Sequence, residues 1–433
     1  MTLQKPGHKG KAVSDIIKIT KICGAAGVLA AHLTATAPAH AADLGGDCCA
    51  DLEATAARKG NRRMSLTVSG QVSRSILYWS SSYNFSAPDA PSRGVYAGLD
   101  NSNQSTRFVL SGSAKVTSNL AAGFEFMTEW TGNTSGAGTS VVNQLSPDGS
   151  SVGADGALAV RTANWWLEDR NLGRLTVGRL NVGGPVTTID LGGIGTVANP
   201  SPTRVGGNYF VAGSILGRLV GPSYGEDRIE GIRYDSPNIG GFVAQSSWGE
   251  NEVWGASLRY AGEFGGIRVA AGIGYEAQNF NGADQYQLDV PPFRSMDNEW
   301  AASLALMHVA SGLFVQGHYA RSEYLNGFDA RIWMAQGGIT KNWLGVGNTS
   351  IYGEYGKATD YGTEGRGANL TLPPDPGTRT EVNFVGLGAV QQIDAAAMEI
   401  FLGWRRFEVD RSTDTSHYTG HLDFIHGGAR IRF

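Results

Sequence analysis

The chain has 433 residues, a formal net charge of −4, 61 glycines and three cysteines. A mildly acidic chain without a basic stripe offers no case for nucleic-acid binding, and so few cysteines build no disulfide framework. No stretch reaches the ~18 consecutive apolar residues that a transmembrane helix requires.

The amino terminus reads as an export signal. Lys5, Lys9, Lys11, Lys18 and Lys21 surround and precede a short apolar run, "ICGAAGVLAA" from Ile22 to Ala31, and "AHA" from Ala39 to Ala41 has the small-x-small form of a cleavage site. Residues 1–41 are expected to be removed, taking five lysines and Asp15 with them and leaving a net charge of −8. Residues 42–63 read as a short linker holding Cys48 and Cys49. Adjacent cysteines rarely bridge each other, so a pair of thiols is the plain reading and a chain-to-chain disulfide the sharper one. Asp47 stands where a lipobox would need a small residue.

From Met64 the sequence alternates. In "MSLTVSGQVSRSILYW", Met64, Leu66, Val68, Gly70, Val72, Ile76 and Tyr78 share one parity against Ser65, Thr67, Ser69, Gln71, Ser73 and Ser75. Period 2 is the mark of a strand with one apolar and one polar face. Arg74 interrupts the apolar parity, which implies a register shift there or a place near a barrel rim. The run is longer than the ~5–6 residues of an ordinary strand and suits the ~9–11 of a membrane-spanning one.

The pattern recurs in "RFVLSGSAKV", "LAAGFEFMTEW", "IRVAAGIGYE", "TSIYGEYG" and "AMEIFLGW". Candidate strands are 64–79, 104–116, 119–131, 158–168, 173–180, 228–235, 241–248, 253–261, 267–276, 299–309, 313–320, 331–340, 349–356, 381–390, 397–408 and 422–433. Sixteen is an even number, as closed single-chain bacterial barrels require. Short turns such as 117–119, 262–266 and 310–312 alternate with long polar segments at 80–103, 131–157, 181–227, 277–298, 321–330, 357–380 and 409–421. A meander with tight turns at one rim and long loops at the other has this rhythm. Isolated charges among small residues on the polar parity suit a wet interior.

Tyr78, Trp79, Trp130, Trp248, Trp254, Tyr260, Tyr275, Trp300, Tyr319, Tyr355, Trp404 and Phe433 fall near expected strand ends, where a membrane interface favours amphipathic rings. The closing run "HLDFIHGGARIRF" sets Ile425, Ala429, Ile431 and Phe433 against Arg430 and Arg432. It is expected to pair with "MSLTVSGQVS", because an open sheet edge in lipid leaves backbone groups unsatisfied. The expected fold class is therefore all-β, a transmembrane antiparallel β-barrel of about 16 strands over residues 64–433.

Catalytic chemistry finds little support. Beyond residue 41 there are five histidines, His308, His318, His417, His421 and His426. "HYTGH" lies at a loop-to-strand junction rather than on a helix, and no GxSxG elbow, Walker loop or CxxC pair occurs. "GGIGT" at 192–196 has no strand–helix frame for phosphate. The reading is a non-enzyme with no metal or cofactor. A soluble exported β-protein is the rival that long strands, even count and terminal Phe433 weigh against.

"CCADLEATAARKGNRRMSLTVSGQVSRSILYW", "STRFVLSGSAKV", "RTANWWLEDRNLGRLTVGRL" and the terminal Phe433 resemble the general porins of alphaproteobacteria, the rhizobial and Brucella type. The resemblance implies a sixteen-stranded homotrimeric barrel in the lipid and lipopolysaccharide of a Gram-negative outer membrane. It implies passive diffusion of small hydrophilic solutes and ions, with a substrate-selective channel for sugars or anions as the alternative. It also implies that the third external loop, residues 181–227, folds inward with long external loops around it. That loop carries Asp190, Glu226 and Asp227, together with Arg204 and Arg218. Arg107, Arg161 and Arg268, on the lumen parity, would face its acids and set a transverse field. Arg179 is included because the resemblance places a basic residue at the start of the loop, although it shares parity with Leu175 and Val177. Phe433 would be the signal read by the barrel-assembly machinery.

Overall fold

The computed structural model describes residues 64–82, 92–130, 134–135, 158–184, 186–207, 209–212, 214–220, 228–277, 296–324, 329–361, 378–413 and 416–433. The expected signal, the linker with Cys48 and Cys49, and Glu226 and Asp227 lie outside the described residues.

The alternating segments form one antiparallel sheet closed on itself. Its strands are β1 (Ser65–Ser81), β2 (Arg93–Asp100), β3 (Arg107–Lys115), β4 (Leu120–Trp130), β5 (Leu158–Asp169), β6 (Gly173–Asn181), β9 (Arg228–Asp235), β10 (Phe242–Gly249), β11 (Trp254–Phe264), β12 (Ile267–Ala277), β13 (Met296–His308), β14 (Leu313–Tyr324), β15 (Asp329–Lys341), β16 (Thr349–Thr359), β17 (Arg379–Ile393), β18 (Met398–Ser412) and β19 (His417–Arg432). The small hairpin β7 (Phe210–Val211) and β8 (Ser214–Ile215) lies outside this sheet. β2 pairs with one half of β1 and β3 with the other, so the two form one wall strand interrupted at 101–106. The barrel thus has sixteen strands.

The strands depart from their expected bounds in two places. Residues 93–100, expected as loop, form β2, and β14, β18 and β19 extend beyond their expected ends at the long-loop rim. There the faces are reversed: Phe407 and Val409 point inward while Glu408 and Asp410 point out. An outward polar parity reads as loop when lipid is assumed outside.

The seam between chain ends is continuous. β1 pairs with β19 from Gln71↔Arg432 to Ser81↔Leu422. Beyond it, Gly70 N–H donates to the Phe433 carbonyl at 2.9 Å and Phe433 N–H donates back at 3.0 Å. Of the expected partner 64–73, residues 70–73 do pair with the closing strand, and the contact continues along β1 to Ser81, while Ser65–Gln71 pairs through its other edge with β3. Tilted, staggered strands cannot bring both chain ends level, and the register slides accordingly.

Outside, Val72, Ile76, Phe108, Leu258, Ile273, Leu304, Val315, Ile351, Leu387, Leu402 and Ile431 are exposed in successive strands. Toward the long-loop rim come the pairs Trp254–Tyr275, Trp300–Tyr319 and Trp333–Tyr355, with centroids 5.3, 5.0 and 5.5 Å apart. Trp404 Nε1 donates to Asp423 at 3.2 Å, and Arg406 grips the same carboxylate at 2.8 Å, so polar surface begins above the rings. Trp79 is a correction: it faces inward, buried, with its ring 5.0 Å from Tyr209.

The interior is not wet throughout. Much of the inner wall from β13 around to β1 is apolar, and the described residues of the 182–220 stretch fold against it. Near the long-loop rim, Val205, Tyr209, Val211 and the short helix α1 (Leu216–Val220) pack on Ile332, Met334, Phe384, Phe407, Leu422 and Phe424. Deeper, Leu191, Ile194 and Val197 pack on Phe314, Tyr352, Val390 and Phe401. Gly206, at φ 78°, lets the chain pass over Phe424, where a Cβ would collide with the ring. Phe424→Ala should cost about 3–5 kcal/mol, the usual penalty for emptying a buried aromatic site. Thermal unfolding in detergent measures it, and an unchanged midpoint would show that the loop does not depend on this packing.

Candidate pore constriction

The loop after β6 is held inside by wall donors aimed at its carbonyls. Ser303 Oγ donates to Val186 O. Thr340 Oγ1 and Ser350 Oγ both donate to Gly192 O at 2.7 Å. Arg405 donates to Pro202 O at 2.6 Å while its Nε binds Glu354 at 2.6 Å. Thr196 Oγ1 donates to Glu399, whose carboxylate also takes Arg430 at 2.7 Å. The glycine-rich 192–196 stretch is therefore a point of attachment near the short-turn ends of β15, β16 and β18.

The interruption between β2 and β3 grips the loop from another side. Asn101 Nδ2 donates to Thr196 O at 2.8 Å, and Asn103 Nδ2 donates to Val197 O at 3.0 Å. Arg204 donates to Ser102 O at 2.9 Å. Alternation alone places Asn101 and Asn103 in the long polar segment 80–103 and gives them no role. A polar "NSNQST" run (101–106) inside an alternating strand was the available signal.

Across the lumen, part of the wall bears charge. Arg107 Nε lies 4.0 Å from Glu129 and donates to Ser105 Oγ at 2.9 Å. Arg161 is ion-paired to the same carboxylate. The register slips between Met127 and Thr128 opposite β5, so Arg161 and its neighbour Thr162 both face inward. A bulge re-aims side chains in this way. Thr162 then donates to Glu125 at 2.8 Å. Two guanidinium groups share Glu129, and Arg228 is a further electrostatic neighbour.

The other expected residues separate. Asp190 is inside the barrel, accepting from Gly195 N–H at 2.7 Å and from Gln316 at 3.3 Å. Arg268 faces inward on β12 but pairs with Glu263 at 3.4 Å, beside the turn joining β11 to β12 and away from Glu129. Arg179 lies 4.0 Å from Glu230 in a row with Leu175, Val177, Ile232 and Tyr234, on the outer face. The parity it shares with Leu175 and Val177 decides its side. Phe433 is about half exposed, with its ring against Gly70.

Residues 25–412 match the model of the Gram-negative porin family. The chain belongs to that family. The porin is also similar to solved barrels. The anion-selective porin from Comamonas acidovorans is 15% identical, covering 86% of this chain and 100% of its own, with a TM-score of 0.50. Outer-membrane-expressed OmpT of Vibrio cholerae is 12% identical, covering 88% and 100%, with a TM-score of 0.49. Salmonella typhi OmpF, in a complex with daunomycin, is 13% identical, covering 87% and 99%, with a TM-score of 0.47. At such identities the first shows the barrel fold alone, and no curated protein sequence matches. Family and fold are those of an outer-membrane channel for small solutes rather than an enzyme. The short turns of the porin then face the periplasm and its long loops the exterior.

Enclosure pushes the Asp190 carboxyl above the usual carboxylate range, against the hydrogen bonds from Gly195 and Gln316 that favour its ionised form. A folded-state value raised above the unfolded one means that the folded porin holds this proton more tightly. Stability contributed by Asp190 is therefore present below about pH 4 and is lost as pH rises through the raised value. Asp190→Asn should flatten the fall in melting temperature above pH 4. Identical pH profiles for the two proteins would contradict it.

Proposed function

We propose that the porin is a general diffusion channel of the alphaproteobacterial type, exported by residues 1–41 and assembled as a homotrimer. Residues 42–63 are the linker and 64–433 the barrel. The sequence resemblance supports subtype, export route and trimer, along with contact with lipopolysaccharide and delivery by the barrel-assembly machinery. One observation carries the channel reading: inside an apolar-skinned barrel, an in-folded loop covers one inner wall and leaves another lined by charge. The constriction lies between Asp190 and Arg204 on the loop side and Arg107, Arg161 and Glu129 on the wall. Glu226 and Asp227, which follow in the sequence of that loop and lie outside the described residues, are proposed as further acids of the constriction. Arg268 contributes at the periplasmic mouth, and Arg179, on the outer face beside Glu230, is not part of the constriction.

Planar-bilayer recording tests the reading. Ohmic conductance steps in KCl are expected, and replacing Arg107 and Arg161 together with serine should move the reversal potential toward cations. Absence of steps would refute the channel; saturable block by one sugar class would favour the selective alternative.

Phe433 is proposed as the assembly signal. Deleting it should lower the yield of inserted porin several-fold while leaving the conductance of inserted molecules unchanged. A deletion variant that inserts normally would reassign Phe433 to the seam alone.

A further inference from the structure

A second group of arginines lies on the uncovered wall, nearer the periplasmic turns, and the proposed constriction does not use it. Arg174 of β6, Arg233 of β9 and Arg259 of β11 share the inner parity with Asp235. That carboxylate is heavily engaged: Arg233 Nε donates to it at 3.0 Å, Arg259 lies 3.7 Å away, and Gln245 donates at 3.2 Å in the amide orientation that also accepts from Gly184 N–H.

Arg174 is held differently. It stands opposite Asp235 in the β6–β9 ladder, yet its guanidinium lies 4.4 Å over the ring of Trp166. The indole in turn lies against Gly123, where any Cβ would collide with it. Glycine, indole and guanidinium are thus layered outward from the wall, and the ring props the charge off the backbone. The charged neighbours of Arg174 are Arg233 together with Glu168, which it faces across the β5–β6 ladder, Asp235 and Glu125. Of these acids, Glu168 is exposed at the rim and Glu125 is occupied by Thr162. Arg174 Nε is buried without a hydrogen-bond partner among the described residues. Crowding like charges while leaving donor capacity unused is unfavourable unless an anion comes between them.

We propose that Arg174, with Arg233 and Arg259, forms an oxyanion station on the periplasmic side of the channel wall. It rests on the channel reading above. The solute class is a small phosphate or carboxylate, because the planar guanidinium fork takes two oxygens at once. The Trp166 stack fixes the plane of that fork through a cation–π contact. Partial neutralisation by Asp235 keeps occupancy brief, as conduction demands.

The experiment is single-channel recording of the full porin in KCl, with inorganic phosphate titrated on the periplasmic side. Phosphate should lower the conductance saturably, and Arg174→Gln should raise the half-blocking concentration about tenfold, the worth of one charge-assisted hydrogen bond. Trp166→Leu, which removes the prop and keeps the charge, should raise it severalfold. Arg331→Gln, an outward-facing arginine on the far wall, should leave it unchanged. KCl steps without any phosphate effect would overturn the station and leave the channel reading standing. An unchanged half-block in both Arg174→Gln and Trp166→Leu would also overturn it. Absence of KCl steps would overturn the channel and the station with it.

Discussion

The two hydrogen bonds between Gly70 and Phe433 finish a ring of backbone pairing on which the rest of the molecule depends. Lipid offers no water to an unpaired N–H or C=O, so a sheet that spans it must have no edge. Closure forces alternation on every strand and tilt on the whole wall, and tilt slides the seam to Gln71–Ser81. It also explains where pairing is allowed to fail. The 101–106 break between β2 and β3 turns its polar groups toward the enclosed loop, where Thr196, Val197 and Arg204 meet them. Irregular backbone at membrane depth is tolerated where it is buried in protein.

A closed barrel of this width must do something with its interior, and this one divides it. From β13 round to β1 the inner wall mixes apolar patches with polar and charged side chains and receives the loop, whose Leu191, Ile194, Val205, Leu216 and Leu219 are buried against the apolar patches. The loop's backbone carbonyls are met one by one by Ser303, Thr340, Ser350 and Arg405. Apolar burial supplies the adhesion, and these donors remove the penalty of taking bare carbonyls out of water. The loop is thereby fixed as part of the wall; its first residues already cross β10 to β12, where Gly183 N–H donates to Ser247 and Val186 lies against Gly272, and solutes are left chiefly the strands from β3 to β9.

On that remaining wall the basic groups paired with Glu129 and Asp235 are arginines. Arg107 and Arg161 share Glu129, and Arg233 and Arg259 share Asp235. A guanidinium binds a carboxylate through part of its fork and still presents the rest, which an ammonium does less well. Asp190, the loop acid expected to face these arginines, accepts from Gly195 N–H and from Gln316, one through each oxygen.

The sequence by itself determined the barrel, because lipid on one side and enclosure on the other stamp a period of two on each strand, and the sixteen segments show it. It determined that Arg107 and Arg430 face inward for the same reason, whereas Arg161 is turned in beside Thr162 by the bulge opposite Met127. Parity also carried the answer for Arg179, whose place beside Leu175 and Val177 puts it outside. Only the tertiary structure decided what lies against the inner face. Phe407, Val409, Leu422 and Phe424 look misplaced in a strand read alone, and the loop that covers them is some two hundred residues earlier in the chain. Nor does local spacing show that Asn101 and Asn103 clasp Thr196 and Val197, or that Trp166 props Arg174. Those contacts join strands through register and barrel tilt, quantities set by closure of the whole ring rather than by any one segment.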